Sequence, residues 1–241
     1  MNSFAEIRRA LGRLSVSERR SIIAWMEEYN AAIMNAGRVE ESLPVYKPDY
    51  PEPMTIVEFF ELEAQSEDAY EYINGIIRPL SSGTVSHSEI TMNLYRAIFS
   101  RLEKGPCKPY MHEPGVHFAW GSEHVVYKPD LYVACKRGDW DGRHIPNPKF
   151  VIEVLSPSTQ HIDKREKAAN YRRAASVEEY VIAAQKTQEV TIYRRSGGWA
   201  AERVVGRDGV VEFRSLGMSV PLAEIYDDVF GKPQAPGEMD H

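Results

Sequence analysis

Cysteine is nearly absent: Cys107 and Cys135 are the whole complement of the 241 residues. Their spacing matches no zinc or redox motif, and nothing suggests the disulfide framework of a small secreted domain. Long apolar runs are missing too. No stretch approaches the roughly 20 residues of a membrane span. The N-terminus mixes Glu6, Arg8 and Arg9 with isolated apolar positions and lacks the h-region of a signal peptide. These absences argue against a membrane partner and make a reducing cytoplasm the expected address. Positive charge is not in excess either. The net charge of -6 argues against a chain that coats nucleic acid through its overall field. It does not exclude a nuclease, because metal-binding carboxylates add negative charge and only a local basic face need hold a phosphodiester. Residues 160–175 offer such a face, with Lys164, Arg165, Lys167, Arg172 and Arg173 against Asp163 and Glu166.

What is present is an ordinary globular balance, 43% hydrophobic and 27% charged, without internal repeats or low-complexity tracts. The length fits one large domain, or one of about 190 residues with a helical appendage, and can bury a core unaided. Residues 4–35 read as helical. Ser15 and Glu18 have capping-box spacing, and Ile22, Met26, Tyr29 and Ile33 follow at helical intervals. Pro44, Pro48, Pro51 and Pro53 then mark an extended linker. The organisation expected is an N-terminal helical extension over 1–43, a proline-rich linker over 44–53, a domain over 54–230 and a flexible tail over 231–241.

Within the domain, Thr55-Ile-Val-Glu58 is a second capping box and opens a helix through about Gln65. Asn74-Gly75 between β-prone runs is the strongest two-residue hairpin signal. Ser86 and Ser88 precede a helix whose stripe is Ile90, Leu94, Ile98 and Leu102. Strands are expected at 111–119, 125–135 and 149–155, a helix at 163–175, and further strands near 179–184, 189–195, 199–206 and 210–214. This order predicts an α/β (α+β) mixed sheet flanked by helices, not a regular βαβ ladder.

One segment carries chemistry. Phe150-Val-Ile-Glu153-Val-Leu-Ser156 places a carboxylate in a strand buried on both faces, with Val151 and Leu155 on its own side. An ionised carboxylate there is costly unless neutralised, paired or bound to a cation. The plain alternative is a salt-bridged or partly wet strand end. Pro129-Asp130 sits in a second β-prone run, and alone it would read as a turn. Beside Glu153 on a neighbouring strand it becomes half of a two-carboxylate site suited to magnesium, which takes one or two carboxylates and keeps its waters. Asp163, Lys167 and Tyr171 lie one helical turn apart, the spacing of an exposed ion pair or of a lysine carried back over the metal.

Pro129-Asp130, Glu153-Val-Leu-Ser156-Pro-Ser-Thr, Asp163, Lys167 and Tyr171 together resemble the Uma-two family of restriction-endonuclease-like proteins, within the PD-(D/E)XK nuclease superfamily. The resemblance runs from about Met54 to Phe230. Tyr70-Glu71-Tyr-Ile-Asn-Gly75 resembles the family's early hairpin, although it reads Ile-Asn-Gly where Ile-Asp-Gly is usual. Ser86-His87 resembles the start of its next helix, and Val177-Glu-Glu-Tyr180 the strand after its catalytic helix. Leu155 stands where the superfamily usually has its lysine, two residues after the acidic one, so that role is carried to Lys167.

The resemblance implies a restriction-endonuclease-like core and a Mg²⁺- or Mn²⁺-dependent endonuclease acting on DNA. Asp130 and Glu153 would bind the metal, and Lys167 would complete the catalytic set. Glu71, His87, Ser156 and Tyr171 would support it. Glu71 could equally be a solvent-facing strand residue, and His87 a neighbour of the helix cap. The alternative function is a catalytically silent nuclease fold that binds nucleic acid or a protein, with the stripe of the N-terminal helices as a docking or homodimer surface.

Overall fold

The computed structural model describes Ser21 and residues 53–80, 83–102, 105–135, 142–156 and 162–230. The expected extension, linker and tail lie outside these residues, apart from Ser21, which is helical, and Pro53. The chain divides into two compact units, one ending at Arg78 and one beginning at Pro79.

The first unit contains helix α1 (Ile56–Gln65), strand β1 (Tyr70–Ile73) and all but the last residue of its hairpin partner β2 (Ile76–Pro79). The Thr55 box closes α1 as expected. The Glu58 amide donates to Thr55 Oγ1 at 3.2 Å and the Thr55 amide to Glu58 Oε2 at 2.7 Å. The hairpin turns on Asn74 and Gly75, whose φ values of 48° and 97° are both positive, as a type I′ turn requires. Gly75 meets a second demand, since a Cβ there would lie 2.6 Å from Pro53 Cβ. Glu71 is buried in this unit, with Arg78 Nη1 at 3.7 Å.

The second unit begins with helix α2 (Val85–Leu102) and strands β3 (Lys108–Tyr110), β4 (Gly115–Trp120), β5 (Glu123–Tyr127), β6 (Leu131–Ala134), β7 (His144–Ile145) and β8 (Phe150–Val154). A π-helical turn at Asp163–Lys167 runs into helix α3 (Ala168–Arg173). Strands β9 (Glu179–Ala183), β10 (Glu189–Arg194), β11 (Ala201–Val205), β12 (Val210–Phe213) and β13 (Met218–Pro221) follow, then the short helix α4 (Leu222–Ile225). The main sheet has the order β11-β10-β9-β8-β6-β3. Only β8 and β9 are parallel in it. A parallel pair needs a crossover, and the π-turn with α3 provides it.

Alternation along the strands gives this sheet two different faces. Leu131, Val133, Phe150, Ile152, Val154, Val181, Ala183, Val190 and Ile192 point to one side and share a core with Ile90, Leu94 and Ile98 of α2. Glu153 therefore points to the other.

Several expectations needed correction. The run 125–135 is two strands, because Lys128-Pro129-Asp130 interrupts it and β5 and β6 belong to different sheets. Proline has no amide hydrogen to continue a ladder. Helix α2 starts before Ser86 and Ser88, and its cap is Thr84, whose hydroxyl accepts from the His87 amide at 3.2 Å. The last strand expected, β12, pairs with a further strand, β13, and β13 and α4 extend the fold beyond it. The cysteines are also not independent. Cys107 and Cys135 stand one step beyond the Lys108↔Ala134 pair of β3 and β6 and are joined by a disulfide. Their separation of 28 residues hides a neighbourhood that the antiparallel register creates, so they lend no support to a reducing compartment.

A buried ion pair locks β9 to β10 and to the hairpin region. Arg194 Nε donates to Glu179 Oε1 at 2.8 Å, and Arg194 Nη2 to the Glu212 carbonyl at 2.6 Å. The Arg214 and Ser215 amides donate to the same carboxylate at 3.1 and 3.0 Å. Removing one partner of such a pair costs about 3–5 kcal/mol, because the other charge stays buried without its counter-charge. Arg194→Leu is therefore expected to lose that much in a urea unfolding curve. A loss below about 1 kcal/mol would show the pair to be dispensable.

Candidate active site

The site is built where β6 begins and β8 ends. Their antiparallel register pairs Leu131 with Ile152, which sets Asp130 opposite Glu153. The Asp130 amide donates to Glu153 Oε2 at 3.3 Å, and the Val154 amide donates to Asp130 Oδ2 at 2.7 Å. Each carboxylate is thus held by the backbone beside the other. Pro129 ends the preceding strand and leaves Asp130 at a strand start, half-buried, rather than inside a ladder.

Glu153 is 3% exposed, so its charge must be answered by protein. Lys167 Nζ donates to Glu153 Oε1 at 3.0 Å and Tyr171 Oη to the same oxygen at 2.9 Å. Asp163, also buried, stands 3.6 Å from Lys167 Nζ. The exposed surface pair that i,i+4 spacing allowed is therefore not what Asp163 and Lys167 form. The local winding differs from expectation as well. Residues 163–167 form a π-turn, a wider winding that often accompanies functional sites, and α-helical geometry resumes only at Ala168. Lys167 and Tyr171 then lie one turn apart and reach the same carboxylate oxygen.

His87, in the first turn of α2, adds a third element. Its Nε2 lies 3.1 Å from Asp130 Oδ2. It is a partner of the site carboxylate, not merely a neighbour of the cap. Burial opposes its protonation, but the hydrogen bond to Asp130 and the charges of Asp130 and Asp163 prevail and raise its pKa. Burial likewise works to raise the Asp130 pKa, yet the His87 hydrogen bond and charge, the Val154 amide and the Lys167 charge hold it below the ordinary value. Tyr180, fully buried beneath, has its hydroxyl pushed well above the ordinary range by burial and then by the charges of Glu153, Asp163 and Asp130. It stays a neutral donor, to the Asp163 carbonyl at 2.9 Å.

Asp130, Glu153, Lys167, Tyr171 and His87 are therefore brought together. Ser156 lines a cleft beyond the end of β8, and Glu71 belongs to the first unit. The sequence alone did not single out Tyr127, whose ring lies 5.3 Å from Lys167 Nζ and whose hydroxyl accepts from Asn170 Nδ2 at 2.6 Å. Nor did it single out Asp163 as a buried partner. The one available signal was its four-residue offset from Lys167.

Three carboxylates, Asp130, Glu153 and Asp163, face one lysine and one histidine. This excess of hard oxygen donors and negative charge is chemically suited to a divalent cation. Among the described residues, no group of three or more His, Cys, Asp or Glu is placed to hold a metal ion together. Any ion here would have two carboxylates as protein ligands and would depend on water and substrate for the rest.

Residues 56–223 match the profile of the Uma2 family, described as "putative restriction endonuclease". The chain belongs to that family. Two Synechocystis relatives, both named uncharacterized proteins, align with it. One, slr1290, is 25% identical over 185 residues, covering 75% of this chain and 96% of its own. The other, sll1609, is 27% identical over 165 residues, covering 66% and 92%. The crystal structure of "a putative nuclease belonging to DUF820" from Anabaena variabilis matches with a TM-score of 0.60 at 20% identity. It covers 73% of this chain and 99% of that one, which establishes the shared nuclease-type α/β fold. No helix among the described residues is long and apolar enough to cross a membrane.

Because Lys167 answers two buried carboxylates, Lys167→Met is expected to cost about 3–5 kcal/mol in denaturant unfolding. Glu153→Gln made in the same chain should return a large part of that loss, since the two charges then leave together. Simply additive losses would mean that the pair is not coupled.

Proposed function

We propose that the chain is a Mg²⁺- or Mn²⁺-dependent endonuclease that hydrolyses DNA phosphodiester bonds at Asp130, Glu153 and Lys167. One observation carries this reading: two carboxylates on adjacent strands are fixed by each other's backbone, with a buried lysine on the second. Membership of a family described as "putative restriction endonuclease" supports it.

In this mechanism Asp130 and Glu153 hold the divalent ion. When bound, such an ion polarises a phosphate oxygen and lowers the pKa of a coordinated water. Lys167 lies beside Glu153, where its charge can orient the attacking water or offset negative charge developing on phosphorus. Tyr171 keeps the Glu153 carboxylate aimed by its hydrogen bond, and His87 does the same for Asp130. The cation therefore comes from the helix after β8, taking the place of a lysine two residues past the glutamate, where Leu155 stands.

A second reading has an observation of its own. Both oxygens of Glu153 already accept hydrogen bonds within the protein, from Lys167, Tyr171 and the Asp130 amide. A polar knot so well satisfied could hold together a silent fold that binds nucleic acid without cutting it. Calorimetric Mn²⁺ titration separates the two, because only the nuclease reading requires binding that Asp130→Ala abolishes.

Nicking of supercoiled plasmid in Mg²⁺ or Mn²⁺ tests cleavage. Glu153→Gln and Asp130→Asn should abolish it, and Tyr171→Phe should slow it about 10- to 100-fold, the usual effect of losing a ligand's hydrogen-bond partner. Absence of nicking with either metal, or equal nicking by Glu153→Gln, would overturn the proposal.

A further inference from the structure

Beyond the carboxylates the same face of the main sheet opens into a cleft of about 320 Å³. Its walls come from the elements that build the site. Ser156 follows the end of β8, Lys164 follows Asp163 in the π-turn, and Gln185, Lys186 and Thr187 form the β9–β10 connection. Ile182, the register partner of Glu153, lies on its floor. Ser156 stands three residues beyond Glu153, roughly 10 Å along an extended chain. That is the axial rise of about three nucleotides in one strand of a duplex.

The chemistry of the walls is that of an anion site. Lys164 and Lys186 are both exposed and both line the cleft. Glu189 is the acid in the lining, and Arg203 answers it, with Nε at 2.9 Å and Nη2 at 2.8 Å from its Oε1. The hydrogen bond from Arg203 is the main reason its pKa is lowered. The cleft is thus locally positive on a chain of net charge -6. Gln185 lines the cleft too, and its Nε2 is buried and donates no hydrogen bond to another described residue. Tyr193 also lines it, but its ring is already engaged by Tyr180, stacked at 6.0 Å, and by the Arg172 guanidinium at 5.0 Å. It has little face left for a base. Cations and small donors without a free aromatic platform suit phosphate and sugar rather than base identity.

We propose that this cleft is a sequence-independent backbone subsite, in which Lys164 and Lys186 hold a phosphate of the DNA strand within about three nucleotides of the carboxylates. The assignment rests on the nuclease reading for the identity of the polymer.

The test is equilibrium binding of a fluorescein-labelled DNA duplex, followed by anisotropy across a salt series in EDTA, so that cleavage cannot intervene. The doubly substituted chain, Lys164→Gln with Lys186→Gln, should bind about 10-fold or more weakly at low salt, equally for unrelated sequences. Its slope of log K against log salt should be shallower by about 1, since each phosphate contact contributes about 0.9. Lys149→Gln, at the far end of β8 and paired with Glu178, should leave the slope unchanged. Both cleft lysines are exposed, so folding should survive, and thermal melting checks it. An unchanged slope in the double variant, an equal change in Lys149→Gln, or no DNA binding by the wild type each overturns the subsite. Plasmid nicking by the wild type is scored in parallel. Cleft-dependent binding without nicking would end the endonuclease reading and keep the subsite, whereas nicking with an unchanged slope would do the reverse.

Discussion

A carboxylate placed inside a sheet that is buried on both faces has to be answered, and the answer to Glu153 organises the second unit. Its desolvation would be prohibitive in isolation. It is met by a lysine and a tyrosine from one helix and by a backbone amide from the neighbouring strand. Those contacts join β6, β8 and the crossover between the two parallel strands at a single point. Such an arrangement is costly to break and hard to reach by local structure alone. It is therefore a place where the fold and the site depend on the same atoms.

The division of labour between the two faces of the main sheet follows from that constraint. One face is apolar throughout and packs on α2 and α4. The other holds Glu153, a cluster of tyrosines and the polar cleft. The tyrosines fill the space between sheet and helix while supplying hydroxyls where a carboxylate or carbonyl needs a donor. Tyr171 donates to Glu153 and Tyr180 to the Asp163 carbonyl. With apolar side chains in their place, the carboxylates would keep their burial and lose much of their compensation.

The π-turn at Asp163–Lys167 bears on how a nuclease-type fold can carry its cation away from the usual strand position. Leu155 packs where that lysine would stand, and the helix after the strand supplies the charge. Asp163 and Lys167, the first and last residues of that turn, are both buried, so a pair that would ordinarily sit in solvent is part of the interior.

Much of the local structure was legible in the sequence. The Thr55 box, the Asn74-Gly75 turn, the α2 stripe and the burial of the Glu153 strand are all set by contacts within a few residues, so spacing and residue type suffice to determine them. Partners across long separations were not legible. The opposition of Asp130 to Glu153, the reach of His87 to Asp130, the pairing of Cys107 with Cys135 and the division of 125–135 at Pro129 all depend on strand register and on which sheet a strand joins. Periodicity tells which side of an element is buried but carries no information about what lies against it. The sequence by itself determined that Glu153 would be a buried charge in need of an answer. Only the tertiary structure decided that Lys167, Tyr171 and the Asp130 backbone supply it, because burial is a property of a pattern and pairing is a property of packing.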